Sequence, residues 1–321
     1  MSLTSMNTCS EKENSQETKD SVNQSKENSV VSNKKNVPLR KRRLSDPLGK
    51  YIYPPIANID PFIQMVKSKL LEVDQHYNYK AYTIQNNFLN MHPRLNNVGY
   101  CNFVDWLIEL SSVLGPRRDL AFNMVNIFNR YVSRIFDFDS KHLEKVGLCC
   151  LFIAAKADDT DSITTKELIK FSSNKSVKSE DYVNLEADIL EIIGYKLMYR
   201  SPLEFFFKIA RLFNYTRFEE DAGWLILEST LIMPDSAEIS PYLMALIVTR
   251  LINTMIKNVA FDDRLFSMCK CTKLRANQLT ASIVNNLNFL QTDPAWQLVV
   301  HRLTKKFSAP EFSRVGKISL F

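Results

Sequence analysis

Glycine is scarce. Only 7 of the 321 residues are glycine, so Gly-rich phosphate loops and tight β-hairpins have little to be built from. The six cysteines (Cys9, Cys101, Cys149, Cys150, Cys269 and Cys271) never form a CxxC, and the four histidines do not stand at metal-ligand spacing from them. No zinc site, other metal or cofactor is expected, and the usage fits a reduced intracellular protein. Cys149 and Cys150 lie in an apolar run, where a buried thiol behaves as a small hydrophobe. No uncharged apolar stretch approaches the roughly 18 residues of a membrane span, and the N-terminus is polar rather than signal-like. A soluble chain with no membrane partner is expected. Alternation of apolar and polar residues nowhere persists. The patterns GxxxxGK[ST], GxGxxG, HExxH and GxSxG are absent. No nucleophile or carboxylate pair stands out, so nothing favours an enzyme.

Positive charge is also missing from most of the chain. The net charge is +6, and Lys34, Lys35, Arg40, Lys41, Arg42 and Arg43 alone account for it. The remainder is near neutral and offers no broad basic face, so no direct nucleic-acid contact is expected.

What is present is helical. Residues 1–50 read as a disordered regulatory tail of Ser, Asn, Lys, Glu and Gln, too poor in apolar groups to offset ordering entropy. Residues 51–97 read as an N-terminal helix, over 58–74, and a connector. Five helices then fall at about 98–114, 117–134, 140–156, 165–171 and 180–193. Gly115-Pro116 stops the first. Ser140 and Ser179 are the expected N-caps of the third and fifth. Thr164 and Glu167 have capping-box spacing, and Gly194 ends the set. A second set follows at about 202–213, 217–233, 241–257, 262–270 and 273–289, with Ser201-Pro202 and Ser240-Pro241 as starts and Thr216/Glu219 as another box. The third member of each set, Val146–Ala155 and Leu243–Ile256, is apolar most of the way round, as a buried central helix must be. The expectation is an all-α chain of two tandem five-helix domains, 98–198 and 199–290. A C-terminal tail, 291–321, would follow, in which Trp296, Val299, Val300 and Leu303 have helical spacing.

Several segments together resemble the cyclin family, in a divergent form of the cell-cycle A/B type. Phe103-Val104-Asp105-Trp106-Leu107 resembles the VDWL signature of the first cyclin-box helix. Asn129-Arg130-Tyr131 is similar to the Asp-Arg-Phe element ending the second. Leu148–Lys156 resembles the apolar third helix with its Ala-Ser-Lys end, and Leu185-Glu186 the Met-Glu of the fifth. Ile193–Leu197 resembles that helix's exit. Leu227-Glu228 through Tyr242 is similar to the second cyclin fold. The resemblance spans roughly residues 58–290.

The resemblance implies a non-catalytic regulatory subunit. It would bind and activate a cyclin-dependent protein kinase as a heterodimer in cell-cycle control, at S phase or mitosis, and help select substrates. In the family a Lys and a Glu grip the kinase beside its regulatory helix. Here they are Lys156 and Glu186, with Ile189, Leu190, Tyr195 and Leu197 as apolar contacts; a solvated structural ion pair is the alternative reading. Ala157-Asp158-Asp159 replaces the family's Phe-Glu-Glu. Gly99–Phe103 replaces its Met-Arg-Ala-Ile-Leu substrate-docking patch. Phe103, Trp106, Glu109 and Leu143 remain as candidates for binding short basic-apolar docking motifs in kinase substrates, against plain core packing. Asp105 finds Tyr100 where the family offers an Arg, and Arg130 is its expected partner.

In the tail, Lys12-Glu13-Asn14 and Lys26-Glu27-Asn28 resemble the KEN degron read by the anaphase-promoting ubiquitin ligase; composition is the alternative. Arg40-Lys41-Arg42-Arg43 reads as a nuclear import signal or a solubilising charge run, which implies nucleus and cytoplasm. Phosphorylation of Ser45 would reduce that local charge. Two competing readings are a cyclin of a transcription-regulating kinase and a helical factor of the transcription factor IIB class. The second would want a basic face on both repeats.

Overall fold

The computed structural model describes residues 87–113, 119–158, 163–174 and 176–317, together with Gln64, Ser68 and Ile84. All of them belong to one compact unit running from Ile52 to Phe321. Among the described residues there is helix and no strand. The tail with its degron and import motifs, the Gly115-Pro116 stop and most of the helix expected over 58–74 lie outside them; Gln64 and Ser68 of that stretch are helical.

The first set comprises α1 (Asn97–Val113), α2 (Leu120–Val132), α3 (Leu143–Ala157), α4 (Thr165–Phe171) and α5 (Ser179–Ile193). The second comprises α6 (Pro202–Leu212), α7 (Arg217–Leu231), α8 (Pro241–Leu251) and α9 (Lys273–Thr292). Its fourth position is held by a 3-10 segment, Asp263–Cys269, rather than the α-helix expected over 262–270. The Asp262 carboxylate accepts from the Arg264 N–H at 2.9 Å and tightens that start.

Local chemistry explains most helix ends. Thr164 and Glu167 form the reciprocal capping box, 2.8 and 3.3 Å. Thr216 and Glu219 form the second, 2.6 and 3.3 Å. Ser201 and Ser240 accept from Glu204 and Leu243 N–H groups ahead of N1 prolines, and the proline there gives up no hydrogen bond. Two expected caps move. Ser140 opens a 3-10 turn capped by Asp139, which leads into α3 at His142. Ser179 is the first helical residue of α5, and Asp181 satisfies the Lys178 N–H at 2.8 Å.

Both central helices are where their composition places them. Every residue of α3 from Val146 to Ala155 is buried, and α8 is buried from Met244 to Thr249. α3 packs against α2 and α5, and α8 against α6 and α7. The α8 pattern does not continue to Ile256 as a regular α-helix; Ile252–Ile256 is a π-turn. The buried Asn253 explains the change, since its Oδ1 takes the Tyr215 hydroxyl at 2.6 Å and a regular turn would re-aim it. The two sets meet where the Cys101 thiol donates to the Ile232 carbonyl, 3.2 Å, and the Tyr100 hydroxyl lies 3.4 Å from that of Leu231.

Beyond α9 the chain forms α10 (Pro294–Val299) and α11 (Arg302–Phe307). Leu303, Phe307 and Val315 are buried, so this segment docks on the core. α11 lies against both α1 and α7. No helix among the described residues is long and apolar enough to cross a membrane.

Candidate functional site

Lys156 sits at the end of α3 and Glu186 in the middle of α5. Packing of those helices brings Nζ to 2.6 Å from Oε1. The Lys156 side chain is 44% exposed and that of Glu186 15%. Phe152, one turn before Lys156, lies under its ammonium at 4.7 Å from the ring centroid. The pair is therefore held from one side by an aromatic ring and open to solvent on the other. The sequence reading missed Phe152, although the i, i+4 spacing to Lys156 was available to find it.

The surrounding residues divide. Tyr195 is 68% exposed, and Leu190 and Leu197 are half-buried. Ile189 is fully buried in the core, which corrects its assignment to contact area. It is part of the core beneath that surface. Val183 and Met198, not singled out by sequence, are exposed beside these elements at 53% and 81%.

The α5 exit has an unusual backbone. Gly194 and Tyr195 both adopt the left-handed region, φ 71° and 56°. For a tyrosine that conformation costs about 1–2 kcal/mol. Arg130, fully buried on α2, holds it: one guanidinium nitrogen donates to the Ile193 carbonyl at 2.9 Å and the other to Lys196 at 2.7 Å. Arg130 is thus a positioning residue for the Tyr195–Leu197 turn. It is not the partner of Asp105, as the sequence reading expected.

Asp105 has a remote partner. Its carboxylate accepts from the Leu303 N–H at 2.9 Å and the Arg302 N–H at 3.1 Å, capping α11 from 197 residues away. The Arg302 guanidinium adds contacts to Asp105 at 3.4 Å, Glu109 at 2.9 Å and Asn102 at 3.2 Å. Burial pushes the Asp105 carboxyl above its usual range, and the two backbone donors oppose that shift. Tyr100 and Asn129, which replace the Arg and Asp of the two family motifs, instead meet each other, hydroxyl to Oδ1 at 3.1 Å.

Of the four docking candidates, Phe103 is a core residue. Its ring packs 4.7 Å from that of Phe128, and a Cβ at Gly147 would fall 2.6 Å from it. Trp106 and Leu143 remain half-buried at the surface, and Glu109 is engaged by Arg302. Among the described residues no group of three or more His, Cys, Asp or Glu side chains could hold a metal.

Residues 71–198 match the family model described as the cyclin N-terminal domain. That match covers about two-fifths of the chain, which over that stretch is similar to the cyclins. The G2/mitotic-specific cyclin-B3 of Caenorhabditis elegans is 23% identical over 212 residues, covering 64% of this chain and 53% of that protein. The G2/mitotic-specific cyclin-B of Emericella nidulans is 26% identical over 132 residues, 40% of this chain and 27% of the relative. The match thus spans about half the length of the nematode relative and about a quarter of the fungal one. Among solved structures, a viral cyclin from herpesvirus saimiri aligns with TM-score 0.50 at 15% identity, over 77% of this chain and 98% of the other. At that identity the match establishes the fold.

Proposed function

We propose that this chain is a cyclin, a non-catalytic activator of a cyclin-dependent protein kinase in cell-cycle control. The observation that carries the reading is the Lys156–Glu186 pair, preassembled at 2.6 Å on an open face. Lys156 presents its remaining N–H donors to a partner's carbonyls, and Glu186 its second carboxylate oxygen to amides or basic side chains. Tyr195, Leu197 and Leu190, with Val183 and Met198, supply apolar area around them. The names of the nematode and fungal relatives favour mitotic control.

The mechanism is a population shift. A kinase alone holds its regulatory helix away from the position that completes its Lys–Glu pair. A rigid helical face that binds only the inward position makes that state dominant. Moving such an equilibrium from 1:99 to 99:1 takes about 5.5 kcal/mol of differential binding. An interface on the order of 2,000 Å² can supply it. The half-buried Trp106 and Leu143, beside Glu109, form the ledge on which substrates with basic-apolar motifs would dock. The two KEN sequences would hand the chain to the anaphase-promoting ubiquitin ligase, and Arg40–Arg43 would bring it to the nucleus.

The test is kinase activity captured with this chain from cycling cells. Wild type is expected to bring down a cyclin-dependent kinase active on histone, and Lys156→Ala/Glu186→Ala to lose at least about tenfold of that activity while staying folded. A folded wild-type chain that captures no kinase would sink the proposal.

A further inference from the structure

The acidic side of the α1 ledge is already occupied by the chain's own C-terminal segment. Asn102, Asp105 and Glu109 lie along one stripe of α1, at i, i+3 and i+7. A basic residue of an incoming motif would seek this stripe. Arg302 reaches all three: Asn102 Oδ1 at 3.2 Å, Asp105 at 3.4 Å and Glu109 at 2.9 Å. The next residue, Leu303, is 3% exposed and inserts beside α1. Arg302-Leu303 is therefore itself a basic-apolar pair, seated on the surface that such pairs would use. Trp106, between Asp105 and Glu109 in sequence, is left half-buried at the edge.

We infer that Arg302 is an internal competitor that weakens the docking of basic-apolar motifs on this chain's α1 surface. The inference rests on the proposed reading of that surface as a docking ledge. Its physical basis is tethering. A covalently held occupant acts at an effective concentration on the order of millimolar. With an intrinsic dissociation constant of about 10 μM for the seated Arg302-Leu303 pair, a free motif would appear roughly a hundredfold weaker, the ratio of effective concentration to that constant. The arrangement also accounts for Glu109, an exposed carboxylate paired with a residue 193 positions away, since its sequence neighbours on α1 supply no base. The segment does not depend on the guanidinium for its place. Arg302 and Leu303 stay capped through their backbone N–H groups on Asp105, and Lys306 and Phe307 anchor it further along.

The test is fluorescence anisotropy on the purified full chain without kinase. The probe is a fluorescein-labelled ten-residue peptide of Ala and Ser carrying one Arg, one Leu and one Phe. Arg302→Ala is expected to bind it about tenfold more tightly than wild type, because one multidentate charged contact is removed from the competitor. Adding Glu109→Ala should return affinity to the wild-type level. Arg302→Gln, which keeps the aliphatic stem, is measured beside it and should behave as Arg302→Ala does; thermal melts confirm that each variant is folded. Equal affinity for wild type and both Arg302 variants overturns the inference, as does a gain that survives loss of Glu109. Because no kinase is present, this result and the kinase-capture result fail independently.

Discussion

Two of the lysine–glutamate pairs among the described residues join one α-helix to another, and they teach opposite lessons. Lys156–Glu186 joins α3 to α5 at 2.6 Å, with the lysine side chain 44% exposed. Lys306–Glu228 joins α11 to α7 at the same 2.6 Å, with side-chain exposures of 11% and 1%. The second is satisfied entirely from within. Trp224 Nε1 donates to the same carboxylate at 2.7 Å, and the rings of Trp224, Phe307 and Phe312 surround the ammonium at 5.3, 5.2 and 5.8 Å. The first has one ring beneath it and solvent above. An exposed pair contributes little to stability and keeps donors and acceptors for a partner. A buried pair is intolerant of losing one member, because the other is left as an uncompensated charge. The same two residue types thus stand open to a partner in one pair and locked into the architecture in the other.

The comparison can be broken most sharply at Lys306. Lys306→Met leaves Glu228 buried with only the indole as donor, and unfolding stability is expected to fall by about 3–5 kcal/mol. Lys156→Met should cost less than about 1 kcal/mol. Urea denaturation of both variants reads the difference; similar losses would erase the distinction drawn here. Next in size is Arg130→Met. It removes both clamps on the Ile193 and Lys196 carbonyls and lets the left-handed Tyr195 relax. A loss of about 2–3 kcal/mol is expected, with increased hydrogen exchange confined to the α5 exit. Arg130→Lys, which cannot fork to two carbonyls, should recover only part of it.

How much of this was legible in the sequence follows the range of the interactions. Both Thr/Glu capping boxes, the Ser-Pro starts and the Gly194 stop are contained within four residues, and each stands where the sequence places it. So do the buried third helices, because an all-round apolar composition is visible without knowing the neighbours. The meeting of Lys156 with Glu186 followed from a resemblance rather than from spacing. The caps at Ser140 and Ser179 slipped because neighbouring acids, Asp139 and Asp181, make the competing bonds. What could not be read is what crosses the chain. Asp105 looks like an acid lacking a base, and its partners are backbone N–H groups of a segment that reads as a tail. Phe103 sits in a motif with a docking role in the family, but Gly147 on α3 leaves a space its ring fills. Arg302, the residue that most changes the picture of α1, has no local signal at all.

The smallest expected effect tests whether burial alone decides which polar groups govern stability. His92 is 1% exposed and ties the end of α2 to the loop that follows it. Phe138 N–H donates to Nδ1 at 3.0 Å, so Nδ1 must be unprotonated, and Nε2 carries the hydrogen given to the Val132 carbonyl at 3.0 Å. The bridge exists only for the neutral ring. Burial holds the His92 pKa below its ordinary value, opposed by the bond to Val132 and by Asp137. Because the folded state binds the proton less readily than the unfolded chain, the contribution of His92 is complete above the unfolded value near 6.5 and is lost as pH falls toward the lower folded value. Wild type should therefore lose stability on acidification in that window, and His92→Gln should lose less across the same pH steps. Thermal melts from pH 7.5 to 5.0 measure both slopes. Parallel slopes would mean that the buried ring adapts to its charge, and that internal satisfaction rather than burial alone separates the architectural polar groups from those left for a partner.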